Sequence, residues 1–363
     1  MLQLPSTRRL GLLALSVLTC CVDFNDPPLH YTYATPASDT EFQSSSLADQ
    51  NITEAPIAEM INKIVRDEFP RIDGVLIFRN NLLVLEEYFH GHDAGIPHNT
   101  FSAGKSITSI LVGIAVDKGF IANVDVPVIS LLPEYTSYEN PDKRKSDITV
   151  RHLLNMASGL ACDDWYMRTE EAMQKSNDWV KFSLDLPMAT DPGTQGSYCT
   201  GAAVVLGRII ENTSRRSLQQ FADKYLFGPL HIGPYEWHIM PDGKASAGGL
   251  FFMRPRDMSK IGLLLLNDGQ WQGTTIVSSA WVDACRDSQL KLPGPFDGYG
   301  YLWWKQAFTG DVQSYFASGN GGQDIFVVPS RNLVVVFTSG NQNTSIGLQS
   351  FSMMNDYILP ATQ

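Results

Sequence analysis

Phe101-Ser102-Ala103-Gly104-Lys105-Ser106-Ile107-Thr108-Ser109-Ile110-Leu111 is the stretch from which the rest of the chain can be ordered. Ile107, Ile110, Leu111 and Ile114 keep the i, i+3, i+4, i+7 spacing of a helix with one face in a core. Gly119 supplies a stop. Ser102 and Lys105 then share the first turn, three residues apart and on one face. A hydroxyl and an amine so placed can share a proton, as a serine nucleophile requires. The positive end of the helix dipole favours negative charge developing beside them.

Gly104-Lys105-Ser106 also looks like the close of a phosphate-binding loop. That motif needs a glycine five residues before its second one. Here the position is Asn99, and Thr100-Phe101-Ser102-Ala103 is not glycine-rich. The phosphate-loop reading is set aside. Ser-x-x-Lys recurs by chance, so its meaning depends on what else the chain supplies.

The 363 residues are 44% hydrophobic and 18% charged, an ordinary globular composition with ample length for a core. A formal net charge of -11 without a long basic run argues against nucleic-acid binding. Residues 1–21 read as a secretory or lipoprotein signal, with Arg8-Arg9, a short apolar run and Cys20-Cys21. The run is too short for a comfortable span, so the only membrane attachment expected is a lipid at that cysteine. Such a signal implies a secreted or cell-envelope protein. Residues 22–51 are polar and rich in Pro, Ser, Thr and Asp, and predict a flexible linker. One domain is expected over 52–363.

Helical spacing covers Glu54 to Phe69, and a hairpin is predicted from Gly74–Phe78 and Leu82–Tyr88 around Arg79-Asn80-Asn81. Thr149 caps a short helix through Met156. A mainly helical region is expected from roughly 121 to 270. Strand patterns return over Tyr299–Phe308, Ser314–Ser318, Gln323–Val328 and Leu333–Ser339, and a last helix is expected over 345–358. Strands near both ends and helices between them predict an α+β fold, an antiparallel sheet flanked by helices with a helical insertion. The Ser102 turn then falls at the seam between sheet and insertion, a usual place for a pocket.

Four patterns now carry a family resemblance over roughly residues 70 to 340. They are Ser102-Ala103-Gly104-Lys105; Tyr198-Cys199-Thr200; Gly319-Asn320-Gly321-Gly322-Gln323; and His152 to Leu160 together with Gly248-Gly249-Leu250. In this order the chain resembles the serine β-lactamase and penicillin-binding-protein superfamily. It is most similar to the branch of class C β-lactamase-related esterases and 6-aminohexanoate-dimer hydrolases. The resemblance implies the β-lactamase/transpeptidase-like fold and an acyl-serine intermediate on Ser102. It implies a proton-transfer network of Lys105 and Tyr198, with either one as the base. It also implies an oxyanion hole from the backbone N–H groups of Ser102 and Gln323. Asn320, Gly321 and Gly322 would border the substrate.

The departures from the pattern narrow the substrate. Asn320 stands where penicillin-recognising relatives keep Lys or His, and Thr200 stands for an asparagine. Small esters or amides are therefore the expected substrates. The alternatives are a β-lactamase or D,D-peptidase, and a non-catalytic binding or sensor domain on the same fold. Trp165, Tyr166, Trp303 and Trp304 either wall an apolar pocket or pack in the core. Cys162 and Cys199 both flank the candidate site and are expected to pair, leaving Cys285 free. His90, His92 and His98 lie close together, but Gly91 to Pro97 reads as a solvated loop and no spaced cysteine or carboxylate completes a metal site. No metal and no cofactor are expected.

Overall fold

The structure is a computed structural model that describes residues 31–287, 290–344 and 346–362. The expected signal, 1–21, and the first residues of the expected linker lie outside the described residues. Helix α1 (Glu54–Val65) turns Ile57, Met60, Ile61 and Ile64 inward, as its spacing predicts. Strands β1 (Ile72–Arg79) and β2 (Leu82–Tyr88) form the expected hairpin. Asn80 and Asn81 both take positive φ, which a two-residue hairpin turn needs and asparagine tolerates. Strand β3 (His98–Asn99) leads into α2 (Ala103–Asp117), and Gly119, at φ 74°, ends that helix.

The helical region follows as α3 (Val150–Leu154), α4 (Thr169–Gln174), α5 (Trp179–Asp185), α6 (Thr200–Ser214) and α7 (Leu218–Ala222). Thr149 caps α3, and the His152 ring returns the bond to the Thr149 N–H. Strands β4 (Glu236–Trp237) and β5 (Phe251–Met253) join β3 in a small sheet. Helix α8 (Pro255–Leu266) comes next, then a ribbon of β6 (Gln270–Trp271) and β7 (Thr274–Thr275), and α9 (Ser279–Arg286). The chain closes with β8 (Gly298–Gly300), β9 (Trp303–Phe308), β10 (Val312–Gly319), β11 (Gln323–Val328), β12 (Leu333–Ser339) and α10 (Gln349–Met353).

Both ends of the chain build one antiparallel sheet, in the order β2-β1-β12-β11-β10-β9-β8. This is the expected α+β arrangement. On one face Phe316 and Phe326 meet Phe351 of α10. On the other, Ile325 and Val334 crowd Gly262 of α8, where a Cβ would come within 2.6 Å of Val334. Helix α8 therefore belongs to the sheet, and the helical insertion ends before residue 255, not near 270. Helix α2 lies between β10 and α6 and is buried from Ala103 to Ala115 on every side. The one-sided burial read from its isoleucines understates this, because Gly104, Ser106, Ser109 and Gly113 let neighbours close on the other faces. Among the described residues no helix is long and apolar enough to cross a membrane.

Residues 31–51 are not the linker that their composition predicts. Phe42 and Leu47 are buried, and Phe42 packs edge-on against Phe78 at 4.7 Å. Tyr31 N–H donates to Asn62 and Tyr33 O–H to the Val84 carbonyl. Glu41 pairs with Arg254, Arg256 and Lys260. Few apolar residues are present, but Phe42 reaches β1 and Leu47 joins the same core.

Two features of this frame have measurable consequences. Cys162 and Cys199 form the expected disulfide across 37 residues, while Cys285 is free and buried. A loop of that length is constrained by about 4 kcal/mol in the unfolded chain. The double variant Cys162→Ser/Cys199→Ser should melt well below wild type, and an unchanged Tm would contradict the tie. Asp324 is fully buried on β11. Burial pushes its carboxyl up to about 7, against the pull of the Ser318 and Ser350 hydroxyls. The folded state keeps a proton that the unfolded chain loses near 3.8, so stability falls as pH rises between those values and then levels. Asp324→Asn should gain Tm over wild type progressively from acid to neutral pH. A gap that stays constant with pH would contradict this.

Candidate active site

The turn that presents Ser102 is strained and braced. Phe101 sits at φ 46°, a region few non-glycine residues occupy. Its N–H is held by Asn99 Oδ1 at 2.9 Å, and Thr100 is bonded twice to the Phe251 carbonyl of β5. Gly249, at φ 116°, closes the other side. A Cβ there would stand 2.4 Å from the Phe101 oxygen, so the glycine loop 248–250 can touch the turn only because it lacks a side chain.

Lys105 rises from the next turn and is 2% exposed. Its Nζ donates to Ser102 Oγ at 2.9 Å and lies 5.2 Å from the centre of the Tyr198 ring. Burial pulls the Lys105 ammonium down, but Tyr198, Glu170 and Asp164 outweigh it and hold it above its ordinary value. The three predicted residues thus converge, with the lysine as the donor to the serine oxygen.

Tyr198 is fixed from both sides of its chain. Ser197 N–H donates to the Met156 carbonyl, and the Tyr198 carbonyl accepts from Asp164 N–H at 3.0 Å. The disulfide follows at Cys199. The stretch His152 to Leu160 is therefore the bracket of the tyrosine. It also holds residues 301 and 302, since Asn155 Oδ1 accepts from Tyr301 N–H and the Leu154 carbonyl from Leu302 N–H, while Ser106 of α2 donates to the Leu302 carbonyl.

Asp164 is the residue that sequence reading missed. One carboxylate oxygen caps α6 through Thr200 N–H at 2.5 Å, and the other is buried without a partner. Burial raises its carboxyl, with Lys105 and Thr200 pulling it back. Its place two residues after Cys162 of the disulfide was the available signal. Thr200 itself is buried against Gly248 and does not reach solvent, so it does not stand in for an asparagine at the substrate.

The aromatic residues divide. Trp165 stacks on Tyr198 at 5.1 Å and on Trp304 at 5.9 Å, forming a wall whose outer member is 40% exposed. Trp303 is core, packed on Tyr315, and Tyr166 points outward at 75% exposure. The roomier clefts, about 600 Å³ beside Phe42 and Trp271 and about 410 Å³ beside Phe296 and Phe351, do not include Ser102.

The glycine-rich turn between β10 and β11 is placed differently from expectation. Gln323 lies in an internal strand, opposite Gly319 on one side. On the other, its side chain is bonded to the Ser339 backbone of β12. Gln323 is thus enclosed between β10 and β12. Gly319 is what meets the serine turn, for a Cβ there would stand 2.1 Å from the Thr100 oxygen. Beyond the Phe316–Trp304 pair, β10 has no β9 partner, so Ala317 to Gly319 present an open edge. Gly321 and Gly322 face the 341–347 loop, with Gln342 N and Gly347 O as their nearest backbone neighbours, so packing explains both glycines. The Asn320 side chain is exchanged with Asn343 through two bonds of 2.8 and 2.9 Å.

The histidines also depart from expectation. A carboxylate does approach them, because Asp73 of β1 lies beside His90 and His92. Strand neighbours, not local spacing, bring it there.

The chain is 24% identical over 291 residues to 6-aminohexanoate-dimer hydrolase of Paenarthrobacter ureafaciens, covering 73% of this chain and 71% of that one. It is 26% identical over 286 residues to penicillin-binding protein 4 of Amycolatopsis lactamdurans, covering 67% and 72%. Its fold is similar to simvastatin synthase of Aspergillus terreus, with a TM-score of 0.67 at 18% identity over 84% of this chain and 98% of the other. The family model for Beta-lactamase matches residues 69–350, from β1 to α10, and so spans both the sheet and the Ser102 turn. By that match this chain belongs to the beta-lactamase family.

Proposed function

We propose that the protein is a serine hydrolase that cleaves small esters or amides through an acyl-enzyme on Ser102. The observation that carries this reading is the buried Lys105 ammonium bonded to Ser102 Oγ at 2.9 Å, with Tyr198 beside it. An ammonium that keeps its proton is a poor base. It stabilises negative charge on the oxygens around it. In this reading Tyr198 reacts as the phenolate beside the Lys105 ammonium, so the Ser102 proton passes to the Tyr198 oxygen, leaving a neutral phenol, as Oγ attacks the carbonyl carbon. The oxyanion is received by the N–H of Ser102 and by that of Asn320, which follows Gly319 where β10 touches the serine turn. This replaces the Gln323 donor expected from the sequence. Collapse expels the alcohol or amine with the proton from Tyr198, and water then repeats the cycle on the acyl group.

The small-ester preference is supported by the absence of a cationic side chain at Ser318-Gly319-Asn320 and by the aromatic wall of Trp165 and Trp304. Secretion or an envelope location is supported by the Cys162–Cys199 disulfide together with the signal-like sequence at residues 1–21. A lipid at Cys20 would tie the protein to the membrane.

Intact mass after a fluorophosphonate probe should show one adduct on wild type and none on Ser102→Ala. Turnover of a short-chain nitrophenyl ester should fall at least about 10⁴-fold in that variant. Undiminished turnover would reject Ser102 as nucleophile, and no adduct on folded wild type would favour a binding domain. Hydrolysis of a chromogenic cephalosporin as fast as the best ester would favour the β-lactamase alternative. Asp164→Asn removes a negative charge facing Lys105. With that charge gone the group that accepts the Ser102 proton sheds its own more easily, so the acid limb of kcat/KM should move to lower pH. A limb that stays or moves upward would contradict the electrostatic role of Asp164.

A further inference from the structure

We propose that Asp73, His92 and His98 form a zinc site next to the segment that delivers Ser102. This site stands apart from the acyl-transfer reading and does not depend on it. Asp73 lies where the β1–β12 register shifts between Ile72 and Gly74. Such a bulge re-aims a side chain. Its carbonyl accepts from Phe89 N–H, which folds the loop after β2 back over the bulge. One ligand atom from each of Asp73, His92 and His98 lies within 4.8 Å of the others.

The two histidines are built for a partner that the protein itself does not supply. His98 is 8% exposed, and its Nε2 is buried without a hydrogen bond; His92 Nδ1 is buried and unpartnered as well. Unpaired buried nitrogens are costly. The two rings pack at 4.5 Å. His92 Nε2 is 3.8 Å from Asp73 Oδ1, and His90 Nδ1 is 3.3 Å from the same oxygen. The other carboxylate oxygen is turned toward Gly340, beside the Arg71 guanidinium, which leaves Oδ1 for the histidines.

Two imidazoles and a carboxylate suit zinc, which takes nitrogen and oxygen ligands tetrahedrally at about 2.0–2.2 Å. That geometry sets ligand atoms about 3.3 Å apart, so small side-chain rotations from the present spacing close the site. His90, 44% exposed, or water takes the fourth position. The bound ion would clip the 89–98 loop to β1. His98 is in β3, two residues before Thr100 and three before the strained Phe101, so the clip would secure the entry to α2.

The test uses the untagged full chain, stripped with a chelator and titrated with zinc alone. Wild type should bind one zinc per chain and melt higher with it. His92→Ala and Asp73→Asn, chosen because the first is at the surface and the second keeps its shape, should each weaken zinc by more than about 100-fold. Circular dichroism of the variants should match wild type, and His231→Ala should bind as wild type does. Sub-stoichiometric zinc on wild type, or full affinity retained in either His92→Ala or Asp73→Asn, would overturn the proposal.

Discussion

An ammonium buried to 2% exposure beside a serine hydroxyl is the constraint to which the rest of this structure answers. Removing a charge from water costs several kcal/mol unless partners restore what hydration gave. Lys105 recovers it from Ser102, from the Tyr198 ring and from the Asp164 and Glu170 carboxylates. Tyr198, Asp164 and Glu170 all come from the helical insertion, so the charge can be buried only when that insertion is docked on α2. The same dependence makes the site a seam, with α2 carrying the charge between β10 and α6.

The frame around the charge is specified by backbone contacts. Phe101 is held in a left-handed conformation by Asn99, Thr100 and the close approach of Gly249. Strain of this kind persists only where surrounding bonds over-determine it. Gly319 meets the Thr100 oxygen from the sheet side, and the β10 edge stays open from Ala317 to Gly319. Under the proposed function, this edge would receive an extended substrate group.

What could be read from the sequence shares one property: the interactions are local or fall in a fixed order along the chain. The hairpin turn at Asn80-Asn81, the Thr149 cap, the Ser102–Lys105 turn and Tyr198 next to a paired cysteine are of this type. What could not be read depends on contacts between distant segments. Residues 31–51 are polar in composition, yet Phe42 and Leu47 find the sheet and Glu41 finds Arg254. Asp164 acquires its role only when its bonds to Tyr198 and Thr200 hold it near Lys105. Gln323 follows two glycines, as an oxyanion donor would, but strand order places it inside the sheet. Asp73 reaches the histidines through a bulge that has no sequence signature of its own.

The central claim is that the resting site holds Lys105 as a cation, so that it stabilises charge and does not itself remove the Ser102 proton. Titrating the Nζ of selectively ¹⁵N-labelled Lys105 by NMR tests this without a substrate. The account predicts a midpoint above the ordinary lysine value of 10.5. A midpoint below that value, with a neutral amine near pH 7, would contradict it and make Lys105 the base.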